Sequence, residues 1–222
     1  MWGNNLACAG ASTAEHFRQD RDPIEVGGYY DRPGLSPVTA GLVASGLIRP
    51  GMLLLEIGVG DGLEAVELAE HGIPVVGIDT HVQQEAIDLV KNRGLDASVL
   101  LFRGKAQGLR ELFDPGQFDI VLDVLVHNNV ALSRDGRCHL RTRARAYARG
   151  VASVLRPGGF WIVQGRITTD PTHQEDFECA LPSDVGRWFH VGPAVATHLP
   201  EYVSARRRQG FTPIGVQVLI RR

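Results

Sequence analysis

The chain has 222 residues, 44% of them hydrophobic, and its 23 Lys and Arg against 25 Asp and Glu give a formal charge of −2. That length suits one sizeable domain with a full core, and so balanced a charge offers no global field to nucleic acid or an anionic membrane. Cys8, Cys138 and Cys179 are odd in number and lack a C-x-x-C pair, no apolar stretch reaches spanning length, and no basic-then-apolar signal order opens the chain. These features argue against a disulfide frame, a zinc site, a membrane helix and a secretory leader, and they predict reduced thiols in a cytoplasmic protein.

Residues 1–30 are polar, glycine-rich and weakly periodic, and are expected to form a mobile leader and an N-terminal lid. Residues 31–222 are expected to form a single domain. Within it, Pro37 to Leu47 reads as a short helix ending at Gly46, and Pro50-Gly51 marks the entry to a first strand, Met52–Ile57. After a glycine loop, Leu63, Val66, Ala69 and Glu70 predict a helix stopped by Gly72. Val75–Asp79 is a second strand, Ala86 to Arg93 a helix stopped by Gly94, Ser98–Phe102 a third strand and Phe118–Val124 a fourth. Arg137 to Leu155 reads as a long helix ended by Pro157-Gly158-Gly159, with Phe160–Gln164 as the fifth strand. A helix over Pro200–Gln209 leads to a final apolar run, Ile214–Ile220. Alternation of helices with near-continuous apolar strands predicts an α/β fold, a doubly wound and mostly parallel sheet of about six or seven strands. Its last strand is expected to run antiparallel. Either Trp188–Val191 contributes a strand beside it, or the sheet is one strand short.

The string Leu55-Glu56-Ile57-Gly58-Val59-Gly60-Asp61-Gly62 joins a buried strand to a helix through glycines at alternate positions. Such a loop has little side-chain bulk and lets backbone N–H groups approach a ligand. Asp79, at the tip of the neighbouring strand, is placed to accept hydrogen bonds from a ribose diol, and its neighbour Thr80 joins the expected pocket. A nucleoside site follows. A dinucleotide fold wants a glycine at the position of Leu63, and Glu56 lies where a pyrophosphate needs freedom from negative charge. The acid suits a cationic ligand better.

This string resembles the first motif of the Rossmann-like S-adenosylmethionine (SAM) methyltransferases. Gln117-Phe118-Asp119-Ile120-Val121-Leu122 is similar to the family's fourth-strand motif, and Leu155-Arg156-Pro157-Gly158-Gly159 to the turn before its fifth. The three span roughly Pro50 to Gln164 in the family's order. The resemblance implies a seven-stranded sheet, the loop of Gly58, Gly60 and Gly62 around the methionine part of SAM, and S-adenosylhomocysteine as product. Tyr29-Tyr30-Asp31 carries a weaker similarity to small-molecule methyltransferases of the thiopurine and tellurite-resistance type; Tyr29 either lines the SAM methionine or anchors the leader. One departure stands out. Where the family commonly places an Asp that accepts from adenine, this chain has Gly104-Lys105-Ala106, and lysine cannot accept. Either backbone at Lys105 and Ala106 holds the adenine, or Lys105 turns to solvent.

Methyl transfer needs nucleophile, methyl and sulfur held in line, and a base only where the acceptor must lose a proton. His127, just past the fourth strand, is the candidate base; the alternatives are a hydrogen bond to loop backbone or a wall of the cofactor pocket. Asp123, inside an apolar strand, needs a partner: the cofactor's ammonium, the acceptor, or a structural hydrogen bond. Arg141, Arg145 and Arg149 share a helix face with i, i+4 spacing, and Arg206-Arg207-Arg208 adds a second group; without aromatic interleaving they read as solvated. His173, Glu175, Asp176 and Cys179 match no metal pattern, and no metal is expected. Residues 168–200 read as an insert capping the acceptor, with Trp188 and Phe189 as walls or as ordinary packing. The expected activity is methylation of a small molecule at oxygen, nitrogen or sulfur. A non-catalytic SAM- or partner-binding subunit is the alternative, an NAD(P)-dependent oxidoreductase is disfavoured, and a SAM-assisted cyclase and a homodimer stay open.

Overall fold

In the computed structural model, the described residues are 37–124, 141–166, 185–196 and 214–222, all within the compact unit Gly34–Arg222. A short helix α1 (Pro37–Ala44) precedes β1 (Leu54–Ile57), α2 (Leu63–Glu70), β2 (Val75–Asp79), α3 (Gln84–Asn92) and β3 (Val99–Arg103). A 3₁₀ turn (Ala106–Gly108) runs into α4 (Leu109–Leu112). Then come β4 (Phe118–Val124), α5 (Arg141–Val154), β5 (Leu155–Arg166), a second 3₁₀ turn (Val185–Arg187), β6 (Phe189–Ala196) and β7 (Ile214–Arg221).

The seven strands lie in the order β3-β2-β1-β4-β5-β7-β6. The first five are mutually parallel, and β7 runs antiparallel to both β5 and β6. The strand order reverses between β1 and β4, so the crevice for a ligand opens outside their carboxyl ends. That is where the glycine loop leaves β1.

Two apolar layers hold the sheet. On one face Tyr147, Ala148 and Val151 of α5 pack with Leu55, Ile57, Val121, Trp161 and Val163. On the other, Ala65, Val66 and Leu68 of α2 and Val90 of α3 pack with Leu54, Ile120, Leu122 and Ile162. Strands buried on both faces need apolar residues at consecutive positions, and β1 and β4 supply them. Each fully buried Leu, Ile or Val contributes about 1.5–3 kcal/mol relative to exposure.

The structure moves several expected boundaries. β5 starts at Leu155 rather than Phe160, because Leu155 already pairs with Phe118; the ladder then breaks and resumes at Ile120 and Phe160. The Pro-Gly-Gly turn is therefore an irregularity inside the strand. A Cβ at Gly159 would lie 2.8 Å from the Asp119 carbonyl oxygen, which accounts for glycine there. The third helix starts at Gln84 and the third strand ends at Arg103. Of the two readings for Trp188–Val191, the strand is the one formed. β6 completes the sheet, and Phe189 is buried with its ring centroid 5.3 Å from that of Trp161, so this ring packs in the core. The helix read over Pro200–Gln209, the start of the long helix at Arg137 and residues 168–184 lie outside the described residues.

Candidate active site

Beyond Ile57 the chain turns through Gly58, Val59, Gly60, Asp61 and Gly62 into α2. Gly58, Gly60 and Gly62 have φ of 83°, 54° and 79°, a region that a side chain strains. Space is also short. A Cβ at Gly62 would lie 2.8 Å from Ala86 Cβ of α3, and one at Gly77 2.7 Å from Val59 Cγ2. Glycine at those positions lets Val59 tuck under the loop and α3 close against it.

Asp79 holds this loop in place. Gly60 N–H donates to its Oδ2 at 3.2 Å, while the His81 N–H and the Thr80 hydroxyl donate to Oδ1 at 3.0 and 3.3 Å. The Gly104 N–H donates to the Asp79 carbonyl at 2.8 Å. One residue thus ties together the loops after β1, β2 and β3. Asp79 is half-buried, and a carboxylate oxygen offers more than one lone pair, so it can serve the loop and a ligand hydroxyl together.

Glu56 sits beneath the loop, 2% exposed. Among the described residues, two buried side-chain polar atoms lack a hydrogen-bond partner, Glu56 Oε2 and Trp161 Nε1. Burial holds the Glu56 carboxyl well above the usual carboxylate range, and the charges of Glu64, Asp61 and Asp79 push it the same way. Asp61 itself lies just before α2, its Oδ1 accepting from Leu63 N–H at 3.1 Å. A phosphate at this loop would face four carboxylates and compete with Asp79 for the Gly60 N–H. A cation is attracted by all four, and an ammonium would give Glu56 Oε2 the donor it lacks. The donor set fits SAM, whose amino-acid end carries that ammonium.

Asp123 is brought elsewhere. In register Ile57 faces Asp123 and Glu56 faces Leu122, and side chains alternate along a strand. Asp123 therefore shares the α5 face with Ile57, while Glu56 points to the α2 face. Asp123 is fully buried and accepts from the Tyr147 hydroxyl at 2.6 Å. Burial, and then the charge and hydrogen bond of Asp123, hold that hydroxyl well above the usual phenol range. The structural hydrogen bond, one of the roles open to Asp123, is thus in place. Lys105 is exposed and Ala106 buried at the start of its 3₁₀ turn. Tyr29 and His127 lie outside the described residues.

Three participants escaped the sequence reading. Asp61 and Glu64 add charge around Glu56, a signal present in their spacing from the loop. Tyr147 carried no signal, since nothing in the chain announces a pairing 24 positions from Asp123.

A family model described as a methyltransferase domain matches residues 55–163, from β1 and its glycine loop to β5. That span carries the methyltransferase domain of the Rossmann-like SAM-dependent methyltransferases. A ubiquinone biosynthesis O-methyltransferase of Xanthomonas campestris pv. campestris is 28% identical over 162 residues, covering 67% of this chain and 61% of that one. A cypemycin N-terminal methyltransferase from Streptomyces sp. is 33% identical over 128 residues, 56% of this chain and 47% of the other. The chain thus spans less than two thirds of the length of the curated relatives it matches. In fold it is similar to the Burkholderia thailandensis 1,6-didemethyltoxoflavin-N1-methyltransferase, solved with 1,6-didemethyltoxoflavin and S-adenosylhomocysteine. The TM-score is 0.59 at 17% identity, over 99% of this chain and 93% of that one.

Proposed function

We propose that this methyltransferase binds SAM at the carboxyl ends of β1 and β2 and transfers its methyl group to a small-molecule acceptor, releasing S-adenosylhomocysteine. One observation carries the reading: a buried, unpartnered carboxyl oxygen on Glu56 beneath a glycine loop ringed by further acids. That site rejects a dinucleotide's pyrophosphate and accepts an ammonium, which disfavours the oxidoreductase alternative. Gly58, Gly60 and Gly62 give the backbone access that the methionine part needs. Asp79, with Thr80 beside it, accepts from the ribose diol, and the backbone of Lys105 and Ala106 meets the adenine.

The cofactor supplies an electrophilic methyl group, so the protein's part is alignment and exclusion of water. His127 takes the acceptor's proton where the acceptor is a hydroxyl or ammonium group. The names of the relatives include an O-methyltransferase and a methyltransferase of an N-terminus, which supports oxygen or nitrogen as the acceptor atom. We assign the protein to the cytoplasm from the odd number and wide spacing of its cysteines. Incubation with methyl-labelled SAM and a panel of phenols, amines and thiols tests the activity. Label should enter at least one acceptor, and His127→Ala should slow that transfer by about 10²–10⁴-fold. SAM binding with no transfer to any acceptor would instead mark a non-catalytic subunit.

A further inference from the structure

At the other end of the sheet, Arg110, Arg149, Ala152, Ser153, Trp188 and Arg221 line a shallow cavity of about 200 Å³. The three arginines come from α4, α5 and β7, so the fold converges them and no local basic run does. In register, β7 meets β5 with Ile220 opposite Phe160, and Phe160 stands level with Ile120 and Leu54. Arg221 thus lies at the amino ends of the parallel strands, while the glycine loop leaves their carboxyl ends. The two sites are separate.

Among the described residues, the lining holds three guanidinium groups and no carboxylate, in a chain with a slight acidic excess. Arg221 Nη1 donates to the Trp188 carbonyl at 3.0 Å, and the Arg222 N–H reaches the same oxygen at 3.0 Å. These bonds fix Arg221 and Trp188 to one another. Arg110 and Arg149 make no hydrogen bond or ion pair among the described residues. Asp119, at the sheet's amino end, is engaged by Arg156 at 2.6 Å and by Leu53 N–H at 2.7 Å. Like charges gathered without a counter-ion repel one another, and a doubly charged oxyanion removes that repulsion. Guanidinium forks match phosphate oxygens in pairs, and the Trp188 ring gives a flat apolar wall beside them.

We propose that this cavity binds a phosphate monoester dianion, its phosphoryl group between Arg110, Arg149 and Arg221 and its organic part against Trp188. The cavity is smaller than those that enclose drug-sized ligands, ~300 Å³ or more, which limits the ligand to a phosphoryl group with about one ring. The proposal is independent of the reading of the glycine loop.

The experiment titrates the full chain with phenyl phosphate and, separately, with inorganic phosphate, at constant ionic strength, by calorimetry and indole fluorescence. Saturable phenyl phosphate binding should weaken at least about tenfold in Arg149→Ala and again in Arg110→Ala. Arg93→Ala, whose guanidinium pairs with Glu70 far from the cavity, should leave it unchanged. Tighter binding of phenyl phosphate than of inorganic phosphate would support the role of Trp188, and equal affinity would reduce the site to its three guanidinium groups. No saturable binding of either probe, or binding indifferent to both arginine substitutions, overturns the proposal.

Discussion

Glu56 and Asp79 do opposite things with their carboxylates. Both oxygens of Asp79 are engaged by donors, one from the glycine loop and two from its own loop, whereas Glu56 keeps one oxygen buried and unpaired. Asp79→Ala should weaken SAM binding by about 1–3 kcal/mol, through loss of hydrogen bonds to a charged acceptor; unchanged affinity in calorimetry would remove Asp79 from the site. Glu56→Gln should act with two signs. The folded-state carboxyl is held above its unfolded value, so the free protein loses stability as pH rises from the usual carboxylate range through that raised value. The glutamine variant should lose this slope and resist urea better than the native chain above that range. It should also bind SAM more weakly, since it cannot ionise to meet the ammonium. A variant with lower urea resistance and native SAM affinity would contradict both halves. Much at this scale was legible beforehand, because the glycines, Glu56 and Asp79 lie in short local patterns. The orphaned oxygen was not, since burial is decided by α2 and its neighbours.

Among the elements, α5 and β4 are joined by the Tyr147 to Asp123 hydrogen bond at 2.6 Å beneath the site. Tyr147→Phe keeps the ring against Trp161 and removes that donor, so unfolding stability should fall by about 1–3 kcal/mol with SAM affinity unchanged. Lost affinity at native stability would place Asp123 in the cofactor site after all. The order of strands one to five could be read from alternating apolar runs and glycine stops. The edge was harder. Phe189–Ala196 contains Gly192 and Pro193, which look like loop residues, and its pairing with β7 carries a register shift between Val191 and Ala194. A bulge on an edge strand tolerates such residues. Likewise Pro157-Gly158-Gly159 read as a plain turn because Leu155 pairs with Phe118 only in three dimensions.

For the whole molecule, the sheet separates an acidic crevice at its carboxyl ends from an arginine-lined cavity at its amino ends. No sequence pattern shows the second, because Arg110, Arg149 and Arg221 meet only after folding. Occupancy of the first should stabilise the entire domain, since a ligand that binds only the folded state at about 100 times its Kd adds ~2.7 kcal/mol. For a chain of this size that is a rise in Tm of roughly 5–10 °C. An unchanged Tm at saturating SAM would contradict a site built across the loops of β1, β2 and β3.

The most direct measurement is a calorimetric titration of the full chain with SAM and, in parallel, with NADH. The acidic glycine-loop site predicts saturable binding of SAM, strengthening as pH rises until Glu56 is ionised, and no heat from NADH. Binding of NADH with none of SAM would contradict it.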